Sequence, residues 1–120
     1  MSGIDNRDVL RRAIENWNAG SLDAYLELYA PNVVLHTVPP DFPPGIEGVR
    51  KMYSGMWSSY PGSTIEIDDL FGEGDQVACR YKVHATHQTT HEEVTFAGIT
   101  ILHFSDGKCV ERWDIDRKEK

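Results

Sequence analysis

The sequence is short of cysteine and of positive charge, and it holds no long apolar run. Its two cysteines, Cys79 and Cys109, lack the Cys-x-x-Cys spacing of a zinc ribbon or a redox motif. Both fall in apolar, strand-like stretches, so they are expected to be small buried thiols in a reducing compartment. Twelve Lys and Arg stand against nineteen Asp and Glu, for a net charge of −7. That balance excludes nucleic-acid binding by phosphate neutralisation and argues against a basic helix on a membrane surface. No stretch approaches the ~18 apolar residues of a membrane span, and Met1-Ser2-Gly3-Ile4-Asp5 has no signal-peptide core. The expectation is a soluble, cytoplasmic chain. Repeats, low-complexity blocks and flexible linkers are also missing.

What is there suits one ordinary core. The 120 residues are 40% apolar and 26% charged, which predicts a single domain over residues 1–120. Asp5 can cap a helix whose apolar face is Val9, Leu10, Ala13, Ile14 and Trp17, with Gly20 as its stop. Ser21 restarts a shorter helix carrying Leu22, Tyr25, Leu26, Leu28 and Tyr29, which Pro31 is expected to end. Residues 33–38 read as a β-branched strand, followed by a proline-rich loop through Gly45. A third helix carries Val49, Met52, Tyr53, Met56, Trp57 and Tyr60 at three- and four-residue spacing.

From Thr64 the period becomes two. Val77, Cys79, Tyr81 and Val83 alternate with polar neighbours, the pattern of antiparallel strands with one apolar face. Asp106-Gly107 marks a hairpin turn before the last strand, Cys109 to Asp116, and Arg117 to Lys120 is expected to fray. The fold class is α+β, with helices on one face of a mostly antiparallel sheet.

Four stretches carry a resemblance to a known family. They are Trp17-Asn18-Ala19-Gly20-Ser21-Leu22-Asp23 with Leu28-Tyr29-Ala30-Pro31-Asn32-Val33, then Gly45-Ile46-Glu47-Gly48-Val49, then Gly74-Asp75-Gln76-Val77-Ala78-Cys79-Arg80 with Ala85-Thr86-His87, and last Phe104 through Asp114. In this order they resemble the SnoaL-like polyketide cyclases of the nuclear-transport-factor-2-like superfamily. The resemblance implies a cone-shaped α+β barrel, with three N-terminal helices packed on a curved sheet. It also implies an apolar pocket at one end and a homodimer through the sheet's outer face. Family cyclases of this type use no metal and no organic cofactor. An aspartate in the pocket acts as general acid/base on an apolar small-molecule carbonyl compound, where desolvation raises its pKa. The relatives continue with an apolar segment after the closing strand; its lack here points to a more open pocket mouth.

Asp114, directly after Trp113, best matches the cyclase aspartate, and Asp116 shares its side of the strand. His36, a lone polar residue in an apolar strand, is the candidate for polarising a carbonyl. Tyr53, Met56, Trp57 and Trp113 are candidate pocket walls, and Phe42 in the proline-rich loop a candidate cover. Arg80 is expected on the outer face, paired with Glu66 or Asp68. His84 and His87 point to opposite faces of a strand, so with His91 they form no expected metal site, and His103 lies far from the pocket mouth. The register of the last hairpin stays open. A two-residue turn sets Asp114 beside Ile99, whereas a three-residue turn with a bulge at Gly107 sets it beside Gly98 and Thr100. The family's arginine-aspartate-aspartate arrangement for epoxide hydrolysis is not evident, since no arginine reads as suitably related to Asp114. The expected function is cofactor-free proton transfer, as cyclase or isomerase. A non-catalytic ligand-binding or interaction module and an epoxide hydrolase are the alternatives.

Overall fold

The computed structural model describes residues 5–119, in which helices cover one side of a five-stranded sheet. Helix α1 (Asn6–Asn18) starts at Asp5, whose side chain accepts a hydrogen bond from the Arg7 amide at 3.0 Å. It buries Leu10, Ala13, Ile14 and Trp17. Gly20, at φ +87°, turns the chain into Ser21, the cap of α2 (Leu22–Leu26). Strand β1 (Tyr29–Leu35) begins earlier than its β-branched run suggests and contains Pro31. Pro31 therefore does not end the second helix. It lies on an edge strand where pairing with the neighbour is irregular between Tyr29 and Val34, so its missing N–H disrupts little.

The third helix, α3 (Ile46–Ser59), follows this strand, so only two of the three helices precede the sheet. Strands β2 (Thr64–Glu73), β3 (Gln76–Thr86), β4 (Glu93–Ser105) and β5 (Lys108–Glu119) complete the chain. The sheet order is β1-β5-β4-β3-β2, with β1 parallel to β5 and every other pair antiparallel. Arg117 to Glu119 do not fray, because they continue β5 and pair with Thr95 to Ala97. Lys120 and the Met1–Ile4 segment lie outside the described residues. Among the described residues, no helix is long and apolar enough to cross a membrane.

The last hairpin combines the two geometries left open by the sequence. Asp106 and Gly107 both adopt positive φ (51° and 76°), as a two-residue type I′ turn requires, and Phe104 pairs with Cys109. One step further His103 pairs with Glu111, which leaves Val110 as an extra residue. The register shifts by one, and Asp114 faces Thr100. The extra residue also reverses which side chains of β5 face inward, so Arg112, Asp114 and Asp116 point toward the helices.

Leu102, Phe104, Cys109, Val77 and Leu10 are at most 1% exposed and form the packed end of the core. Trp17 lies among Tyr25, Tyr53 and Trp57, meeting each ring edge to face at 5.2, 5.7 and 5.0 Å. Helix α1 is tied to the free edge of β2 by one side chain. Asn18 Nδ2 donates to the Ile65 carbonyl at 2.9 Å, and the Ile65 amide donates to Asn18 Oδ1 at 2.7 Å. This amide pair imitates a strand neighbour where the sheet has none. Replacing Asn18 by Ala should lower stability by about 1 kcal/mol in urea denaturation, since two backbone groups lose their partners. An unchanged midpoint would mean that water satisfies that edge equally well.

Candidate functional site

The packing is incomplete between α3 and the middle of the sheet. A cavity of about 300 Å³ lies there, walled by Leu10, Ile14 and Trp17 of α1 and by Met52, Tyr53 and Met56 of α3. The sheet side supplies Cys79, Tyr81 and Val83 of β3, Phe96 and Thr100 of β4, and Arg112, Asp114 and Asp116 of β5. This explains why Met52, Tyr53 and Met56 are only half-buried although they continue the apolar stripe of α3. An apolar chamber with polar groups gathered on one wall has the character of a small-molecule site.

Arg112 organises that wall. It is 7% exposed and makes hydrogen bonds into four elements. Its Nε donates to Thr100 Oγ1 at 2.9 Å, and its Nη1 to the hydroxyls of Tyr25 at 3.2 Å and Tyr29 at 2.6 Å. Its Nη2 donates to Asp114 Oδ2 at 2.9 Å. The other Asp114 oxygen accepts from the Tyr81 hydroxyl at 2.5 Å, and Asp116 Oδ2 is 3.5 Å from the same hydroxyl. Burial, and after it the Asp114 charge, raises the Tyr81 pKa far above its ordinary value, so Tyr81 stays a proton donor. Its ring has room only because residue 98 is glycine. A Cβ there would stand 2.6 Å from the Tyr81 hydroxyl and 2.8 Å from the Asp116 Cβ.

Asp114, Asp116, Tyr53 and Met56 thus line one cavity. Four other residues expected at the pocket lie elsewhere. His36 is across the sheet, its ring stacked on Trp113 at 4.8 Å and its Nε2 2.7 Å from Glu111 Oε2. The reason is parity: Val33 and Leu35 turn inward, Leu35 beside Arg112, so His36 turns outward with Val34. Trp113 points outward between its inward neighbours Arg112 and Asp114 and is 40% exposed. Trp57 packs on Trp17 behind the cavity wall. Phe42 lies beneath Lys51 Nζ and borders a separate depression along the proline-rich loop.

Arg80 is on the outer face as expected, but its main partner is Asp69 at 2.6 Å, with Asp68 at 3.5 Å. An irregularity at Asp68 in β2 brings both acids to it. His84 pairs with Glu66, and the His87 ring accepts from the amides of Thr89 and Thr90. Burial pushes the thiols of Cys79 and Cys109 up to about 11, so both are unreactive side chains of the interior. The sequence reading missed Arg112 and Tyr81. The arginine it found lacking stands two residues before Asp114 on the same face, a spacing that strand alternation alone could have flagged.

Asp116 stands nearer the surface than Asp114. Partial burial, followed by the Asp114 charge, raises its carboxyl above the usual aspartate range. A raised folded-state pKa means that the folded chain binds protons more tightly than the unfolded one. This contribution to stability is full below the unfolded value and is lost as pH rises through the folded one. Asp116→Asn should therefore match the parent at low pH and become the more stable protein as pH rises through that window, read from urea midpoints. A difference that stays constant or narrows with pH would contradict this.

Known proteins share this architecture. The sequence profile of the SnoaL-like domain matches residues 10–112. IdmH from Streptomyces antibioticus, a proposed polyketide cyclase, superposes with a TM-score of 0.81 at 26% identity, over 94% of this chain and 92% of its own. AclR from Streptomyces galilaeus, a proposed hydroxylase, gives 0.81 at 26% identity, over 93% and 74%. A proposed polyketide cyclase from Bacillus cereus gives 0.76 at 30% identity, over 90% and 71%. No curated protein sequence matches the chain significantly. The profile match across most of the chain and the 30% identity to a solved relative agree with the cavity and the sheet order: the chain belongs to the SnoaL-like domain family.

Proposed function

We propose that the protein binds an apolar carbonyl compound in a conical pocket and moves a proton on it without a cofactor. The carrying observation is the Arg112–Asp114–Tyr81 network on the wall of an otherwise apolar cavity. Asp114 removes a proton from the carbon next to the carbonyl, and the electron pair moves onto the carbonyl oxygen. The resulting enolate either attacks a second carbonyl of the same molecule, closing a ring as the new alkoxide takes the proton from Asp114, or, where a conjugated double bond extends it to a dienolate, takes that proton back at the far carbon. Arg112 and Tyr81 hold the two Asp114 oxygens in place. Asp116, at the outer side of the cavity with its raised pKa, is suited to pass protons to and from water. The cyclase names of two structural neighbours support this chemistry and point to a polyketide-like substrate.

The test is deuterium uptake from heavy water into the acidic carbon of apolar bicyclic ketones, followed by NMR. Asp114→Asn should slow uptake by about 10²–10⁴-fold, the range of a general base. Uptake indifferent to the substitution would sink the proposal, and binding without uptake would favour a carrier on the same fold. The arginine beside Asp114 also favours a second reading, epoxide hydrolysis, with Asp114 activating a water and Asp116 protonating the opening oxygen. Diol formation from an apolar epoxide, absent in Asp114→Asn, would select it.

The outer face of the sheet supports a homodimer. Ile99 pairs with Ile115 and Ile101 with Trp113, and these side chains are 53%, 76%, 42% and 40% exposed in one copy. A contiguous apolar block of this kind is costly to leave in water. Sedimentation at low micromolar concentration should show a dimer for the parent and a monomer for Ile115→Lys. A monomeric parent would remove the dimer from the reading.

A further inference from the structure

The outer face of the sheet carries a titratable cluster that takes no part in the cavity chemistry. His36 lies flat on Trp113, with the ring planes 9° apart. Its Nε2 is 2.7 Å from Glu111 Oε2, and an ionised carboxylate only accepts, so the imidazole donates. Beyond Glu111, His103 Nδ1 stands 4.0 Å from Oε1. One carboxylate thus serves two imidazoles, brought in from the end of β1 and from β4. The side chains of His36, Glu111 and His103 are 39%, 33% and 41% exposed, so each keeps water that a covering surface would remove. The same rung of the sheet continues through Gln76 of β3 to Glu73 of β2, which puts the next charge two strands from His103. Along the proline-rich loop, His36 borders a depression whose other lining residues are apolar or glycine. Glu111 is therefore the one acidic group within 4.0 Å of either imidazole among the described residues. No group of three donors among those residues is arranged to hold a metal ion.

The cluster borders the apolar block directly. The Glu111–His103 pair is the next outward-facing rung after Trp113–Ile101. Every large hydrophobic residue that is exposed among the described ones lies on this face, from Val34 of β1 to Phe71 of β2. A second copy that covers Trp113 and Ile101 therefore comes down on the cluster as well. We infer that the cluster makes the homodimer proton-sensitive, so that the two copies separate as pH falls through the histidine range. The inference rests on the dimer reading above. An imidazole changes charge between about pH 5 and 8. With one proton on His36 and an ionised Glu111 the cluster is neutral, and it loses its water at little cost. A second proton, on His103, adds an imidazolium whose only nearby carboxylate is already matched. Covering that surplus charge is costly, and a two-fold dimer repeats it on both copies. Separation returns it to water. The charge of the whole chain acts the other way. It is −7 at neutral pH and vanishes near pH 5.1, so two copies repel each other less as the solution is acidified. The direction of the change thus distinguishes the cluster from a general charge effect.

The test is sedimentation equilibrium of the full chain at constant ionic strength, from about pH 7.5 down to about pH 5.5, the span over which imidazoles titrate. The dimer Kd should rise by about tenfold or more across it, reversibly, and the far-UV circular dichroism should stay that of a folded chain. One proton released per copy on association limits the slope to about 100-fold per pH unit. His103→Gln should remove the rise, since acid then only neutralises the cluster. Glu111→Gln should move the rise to higher pH, since the first imidazolium already lacks a carboxylate. Both variants should remain dimeric at about pH 7.5, where their imidazoles are neutral. A Kd that stays level or falls with acid would overturn the inference and leave the dimer standing. So would a rise that survives in His103→Gln, one unmoved in Glu111→Gln, or dissociation that accompanies loss of the dichroism signal. A parent already monomeric at the upper pH would overturn the inference and the dimer reading together.

Discussion

A guanidinium taken out of water demands acceptors on every side, and the Arg112 environment shows how far the chain goes to supply them. Thr100 comes from β4, Tyr25 from α2, Tyr29 from β1 and Asp114 from β5 itself. Desolvating such a charge is unfavourable by several kcal/mol even after relaxation, and a hydrophobic residue of the same volume would often serve stability as well or better. The arrangement is therefore hard to explain as core packing. It is easily explained as the frame of a polar wall, because the same cation orients one carboxylate and holds the hydroxyl oxygens of two tyrosines as acceptors.

That wall exists because β5 is turned over. Cys109 and Arg112 both face the interior, yet they are three residues apart, which strict alternation forbids. The extra residue at Val110 resolves the conflict. Counted from Cys109 without it, Glu111, Trp113 and Ile115 would face inward and Arg112, Asp114 and Asp116 would face water. With it, three charged residues enter the cavity and Trp113 and Ile115 are left on the outer face. One inserted residue thus produces both the polar wall and the apolar patch. Gly98 completes the geometry, since the Tyr81 ring crosses β4 where any other residue would place a Cβ.

Much of this was legible in the residues. Asp5 and Ser21 cap the helices they precede, the α3 stripe faces inward, and the alternation in β3 places Arg80 outside and Tyr81 inside. Asp114 and Asp116 do share a face with the cavity. What was not legible came from places where strand parity alone decides nothing. Strand parity groups His36 with Val34, but only the parallel pairing of β1 with β5 shows that this group faces outward. Trp113 looked like a pocket wall because aromatic residues usually face inward, and here the bulge reverses the strand. Trp57 and Phe42 have the right chemistry for a pocket but stand one layer behind it and beside it. Arg112 was overlooked because a charged residue in a half-polar strand reads as solvated.

The misreadings share a cause that is itself informative. Burying Arg112 and exposing Ile115 both run against the ordinary partition of side chains between interior and solvent. When local preference and observed placement disagree at neighbouring positions of one strand, something other than stability has shaped that strand. Here the two violations lie on opposite faces of the same four residues, Arg112 to Ile115, and follow from a single bulge. The inward violation creates a site for chemistry, and the outward one a surface that favours covering. A change that removed Val110 would therefore disturb both faces together, because the strand has no register in which one reverses without the other.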